Sequence, residues 1–129
     1  MIAKFLDFIT QKGASDIRRY ENTLSFVFNN HYYLFSYDEI ADANYIRLLL
    51  PDVETSTTID ADIRKTMIEI STEYKVIKAI ELDNKVWLST EVFVYSTNNI
   101  EQLFQRIIEL MESVLEIYHG KRKEQTANA

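Results

Sequence analysis

The stretch "TLSFVFNNHYYLFSYD", residues 23–38, constrains the fold more than any other part of the chain. Apolar and aromatic residues alternate with small or polar ones on both sides of an Asn-Asn-His centre, the pattern of two strands around a tight turn. Asn29-Asn30 and Asn30-His31 are the two turns that tolerate positive φ. The first sets Phe26 against Tyr33 and Leu24 against Phe35; the second sets Phe28 against Tyr33 and Phe26 against Phe35. Either register gathers Leu24, Phe26, Phe28, Tyr33, Phe35 and Tyr37 on one face, because strand side chains alternate with period two. Tyr32 points the other way. Three of these rings carry no polar group for a ligand, so the expectation is a sheet face packed beneath helices rather than a stacking platform.

A second alternating pair follows in "VIKAIELDNKVWLSTEVFVY", turning at Asp83-Asn84. Val86, Leu88, Thr90, Val92 and Val94 form its core-facing set. Trp87, Ser89, Glu91, Phe93 and Tyr95 form the opposite set, and amphipathic aromatics of this kind are enriched where proteins meet. Helical periodicity marks three further segments. "IAKFLDFITQKG" places Ile2, Phe5, Leu6 and Ile9 on one face and ends at Gly13. "DADIRKTMIEISTEY" has Asp60 as its cap, and "NNIEQLFQRIIELMESVLEIYHG" runs from Asn98 to Gly120. With the strand "YIRLLLP", ended by Pro51, the order reads α-β-β-β-α-β-β-α. The expectation is one α+β domain over residues 1–122, with about five mainly antiparallel strands and helices on one face, followed by a disordered tail over 123–129.

Apolar residues fill about half the circumference of the last helix, more than a single sheet needs. The surplus must meet the other helices or a second chain, and with the Trp87 face it leads to the expectation of a homodimer. Phe8 and Ile68 fall off the apolar stripes of their own helices. With Trp87, Phe93 and Tyr95, they form the candidate protein-interface set.

The net charge of −6 lies wholly in one segment. Residues 1–37 carry four basic and three acidic groups, residues 38–73 three and nine, and residues 74–129 seven and eight. An acidic chain repels phosphate backbones, so nucleic acid and anionic membrane are poor partners. No apolar run reaches the roughly 18 residues of a membrane span, and "MIAKFLDFITQKG" lacks the features of a signal peptide. The absence of cysteine fits a reducing cytoplasm. Catalytic groups are sparse: His31 and His119 stand apart from any ligand or nucleophile spacing, and two glycines cannot build a phosphate loop. Neither a catalytic set, a metal site nor a cofactor is expected. "YDEIADANY", with Asp38, Glu39 and Asp42, reads as a solvated acidic loop; a small-molecule-binding protein or enzyme with a pocket near 38–42 is the alternative to protein binding.

The run from "IRKTMIEISTEYKVIKAIELDNKVWLSTEVFVY" through the closing helix to "YHGKR" resembles the C-terminal part of YbjN-type domains, which share the fold of type III secretion chaperones. The "VWLSTEVFV" strand and the Glu-Gln-Leu start of the long helix carry the likeness, and "YENTLSFVFNNHYYLFSYDE" fits the family's opening strands. The resemblance implies a helix-flanked antiparallel sheet, often dimeric, that binds an exposed segment of another protein without catalysis. It supplies no site residue and no partner's identity.

Overall fold

The structure, a computed structural model, describes residues 1–40 and 43–127. Chain order is α1 (Ile2–Gln11), β1 (Ser15–Tyr20), β2 (Thr23–Phe28), β3 (His31–Ile40), β4 (Ala43–Leu50), α2 (Ala61–Glu73), β5 (Ile77–Leu82), β6 (Lys85–Val94) and α3 (Ile100–Ala127). The strands form one antiparallel sheet in the order β1-β2-β3-β4-β6-β5, with the helices on one face. The α+β class holds, with six strands among the described residues rather than about five. The added strand is β1, "SDIRRY", which buries no side chain fully. Ile17 is its one side chain packed against the core, and a single apolar residue leaves no hydrophobic period to read.

Asn29 and Asn30 take φ of 52° and 63°, which selects the two-residue turn and sets Phe26 opposite Tyr33 and Leu24 opposite Phe35. Asp83 and Asn84 repeat the device between β5 and β6, with φ of 51° and 60°. Positive φ at both turn residues matches the twist of the flanking strands, so short polar Asn and Asp fix both registers. Leu24, Phe26, Tyr33 and Phe35 are fully buried beneath the helices, while Phe28 and Tyr37 lie half-buried at the margin. The Phe5 ring stacks on Phe35 at 3.7 Å and meets Phe104 edge-on at 4.8 Å. Most of the opening aromatic run is thus core.

Helix ends follow their local chemistry. Gly13 at φ 88° closes α1, and the amides of Gly13 and Ala14 return to the carbonyls of Thr10 and Ile9. Asp60 caps α2, its carboxylate accepting from the Ile63 amide at 2.9 Å. Ser71 of α2 shields the β5 edge, where its hydroxyl accepts from the Ala79 amide at 3.0 Å. An edge amide satisfied in this way is closed to strand addition by another chain.

Three expectations are corrected. The last helix does not stop at Gly120 before a disordered tail; α3 continues to Ala127. Its final turns are tied down: Lys121 bridges Glu69 and Glu73 of α2, Arg122 pairs with Glu54, and Gln125 donates to the Asp62 carbonyl. Asp38 and Glu39 stand in β3, paired with Tyr45 and Asn44 of β4, rather than in a loop; Asp42 lies outside the described residues. Phe8 is only 5% exposed, packed against Phe104 at 5.7 Å, because α3 lies along the flank of α1 that its own apolar stripe leaves open.

Candidate protein interface

No element among the described residues lies over the second face of the sheet. Its composition follows from the register. One row across the strands runs Ser25, Leu34, Leu49, Ser89 and Lys78. Beside it, Val27 pairs with Tyr32 and Trp87 with Ile80. On the other side comes a polar row, Thr23, Ser36, Arg47 and Glu91, and beyond it Tyr45 pairs with Phe93. Two apolar areas therefore flank one line of polar and charged side chains.

Tyr32 and Phe93 are each half exposed on this open face, and Leu34, Leu49, Ile80, Trp87 and Tyr45 are partly exposed. The Tyr45 and Phe93 rings touch with centroids 5.2 Å apart. The Tyr45 phenol is pushed up to about 12, by burial first and by the neighbouring Glu91 carboxylate second. It therefore stays a neutral donor throughout the ordinary pH range. Arg47 Nε stands 3.3 Å from Glu91 Oε1, yet off hydrogen-bonding geometry and shielded from water. The indole N–H of Trp87 is also shielded, with no acceptor. Unsatisfied donors of this kind are uncommon in folded proteins, and both lie on the uncovered face.

Of the five candidate interface residues, the structure brings Trp87 and Phe93 to the open face. Tyr95 follows directly after β6 at the rim and is 80% exposed. Ile68, 66% exposed, lies on α2 and so on the opposite side of the molecule; Phe8 belongs to the core. The set is not one surface. Sequence reading left out Tyr32, Tyr45, Leu34 and Leu49, although the odd-numbered alternation in "ANYIRLLL" signals Tyr45, Arg47 and Leu49 as face-mates. The wide apolar arc of α3 is largely used within the chain: Ile100, Phe104, Ile107, Ile108, Met111, Val114, Leu115 and Tyr118 are buried against the sheet, α1 and α2.

Polar clusters elsewhere have structural work. Glu54, with a side chain 6% exposed, accepts from Tyr118 Oη at 2.6 Å and from Arg122 Nε at 2.7 Å. Burial alone would raise its pKa; the bonds from Tyr118, the Ser56 amide and Arg122 outweigh this and hold it below the usual carboxylate range. His31 Nδ1 lies 2.8 Å from Glu112 Oε2 but off hydrogen-bonding geometry, while Glu112 Oε1 accepts from Tyr33 Oη at 2.6 Å. His119 Nε2 lies 2.8 Å from the Val53 carbonyl. Among the described residues no three His, Asp or Glu side chains are grouped to hold a metal ion. Grooves of about 610 Å³ and 510 Å³ open beside Glu54 and Arg122 and between α1 and α3, away from Asp38 and Glu39. No helix among the described residues is long and apolar enough to cross a membrane.

Compared with known proteins, the chain matches no family model, no curated protein and no solved structure.

Proposed function

We propose that this chain is a non-enzymatic protein-binding domain that works through its open sheet face. One observation carries the reading: three helices cover one side of the sheet, while the other side presents Tyr32, Leu34, Tyr45, Leu49, Trp87 and Phe93 uncovered. Clustered apolar areas interleaved with polar residues mark an interaction site more often than singly exposed apolar residues do. Aromatic anchors beside an Arg have the composition of an interface core. The resemblance to YbjN-type and secretion-chaperone domains supports the same class of function, as does the cysteine-free composition for a cytoplasmic setting.

Phe93→Asp tests the reading. Half exposed on a bare face, Phe93 should tolerate the change with a stability effect of roughly 1 kcal/mol or less. Affinity capture from native lysate should lose the proteins retained by the wild type, whereas Ile68→Asp on the helix side should keep them. Identical capture by wild type and Phe93→Asp overturns the proposal.

A further inference from the structure

The open face is complementary to itself, and we infer that a second copy of this chain docks on it about a dyad running along the strands between β4 and β6. The inference rests on the open face being the docking surface. Residues paired across β4 and β6 exchange places under that dyad. Tyr45 then faces Phe93 of the second copy, Arg47 faces Glu91 of the second copy, and Leu49 faces Ser89 of the second copy, each contact occurring twice. Two adjacent residues of opposite charge become a ring of four alternating charges at the centre. Arg47, whose Nε lacks a well-formed hydrogen bond within its own chain, gains a second carboxylate there.

The neighbouring strands agree with this placement. The dyad sets β3 over β5, so that Leu34 meets the methylene stem of Lys78 and Tyr32 meets Ile80. Strands β1 and β2 fall outside the overlap. Four strands spaced about 4.8 Å apart, each in contact over some seven residues, give about 450 Å² of projected face per copy. With side-chain relief, the two copies together bury about 1,200 Å², the lower end of specific interfaces. Aligned sheets packed about 10 Å apart leave room for the Tyr45 and Phe93 rings to interleave.

Charge exchange separates contacts between copies from contacts within one. Arg47→Glu alone puts four carboxylates at the centre, and Glu91→Arg alone puts four guanidinium groups there. Each variant should remain folded by circular dichroism, while its self-association weakens by about 100-fold or more. Mixing the two variants should restore association as a heterodimer, since every acidic group then faces a basic one. The double variant Arg47→Glu/Glu91→Arg should dimerise like the wild type. Sedimentation velocity from about 1 to about 200 μM covers the range of interest. Dimers of either single variant at wild-type strength, or a mixture that stays monomeric, overturns the inference. A wild type monomeric throughout overturns self-docking yet leaves the face open to another protein; the wider reading fails separately if Phe93→Asp retains full capture.

Discussion

Replacing Glu54 by alanine probes the contact that fastens both the segment after β4 and the end of α3. Glu54 accepts from Tyr118 Oη at 2.6 Å, from Arg122 Nε at 2.7 Å and from the Ser56 amide at 3.1 Å. The Tyr118 ring is fully buried, so its hydroxyl has no water to replace the lost acceptor, a cost of about 1–3 kcal/mol. Arg122 is 19% exposed and loses its paired charge, but solvent recovers part of that loss. Together these give about 3 kcal/mol, which lowers the melting temperature of a domain this size by about 10 °C. The mechanism is tested by a double-mutant cycle with Tyr118→Phe, measured by urea denaturation. In the wild type, losing the hydroxyl should cost about 1 kcal/mol. In the Glu54→Ala background it should be neutral or stabilising, because an unsatisfied buried donor is removed. A coupling energy below about 0.3 kcal/mol would show that Glu54 and Tyr118 act independently and refute the reasoning.

The same carboxylate shapes the acid limb of stability. Its folded-state pKa is held down, so its contribution is fully present above the unfolded value of about 4.3 and is lost as pH falls through the folded value. Urea midpoints from pH 6 downwards should therefore fall more steeply for wild type than for Glu54→Gln, whereas parallel curves would contradict the assignment. The two glycines should respond in opposite directions, each read by the urea midpoint. Gly120→Ala enters an α-helix with nothing near the added carbon and should stabilise by about 0.5–1 kcal/mol. Gly13→Ala is placed at φ 88°, where a side chain is strained, and should destabilise by about 1 kcal/mol or more.

What could be read from sequence was whatever hydrophobic period or turn chemistry encodes locally. The two Asn and Asp-Asn turns, the Asp60 cap, the Gly13 stop and the buried face of the aromatic hairpin all belong to that class. Edge strand β1 did not, because its single core-packed residue, Ile17, makes no apolar alternation. The end of α3 did not either: Gly120 carries the usual stop signal, and the ion pairs to Glu54, Glu69 and Glu73 that carry the helix past it lie 48 to 68 residues away in sequence. Phe8 shows the same limit, since an off-stripe residue is buried once a second helix lies alongside. For the open face, alternation in β6 sufficed to single out Trp87 and Phe93. Tyr32, Leu34, Tyr45 and Leu49 join them only through the pairing of β3, β4 and β6, a tertiary fact.

Hydroxyl-radical footprinting tests the role of the open face most directly, by comparing dilute purified protein with concentrated protein and with protein in native lysate. Protection should appear at Tyr32, Tyr45, Trp87 and Phe93, while Ile68 on the outer side of α2 remains reactive. Protection confined to α2 and α3, with the four aromatics unchanged, would contradict the assignment of that face as the docking surface.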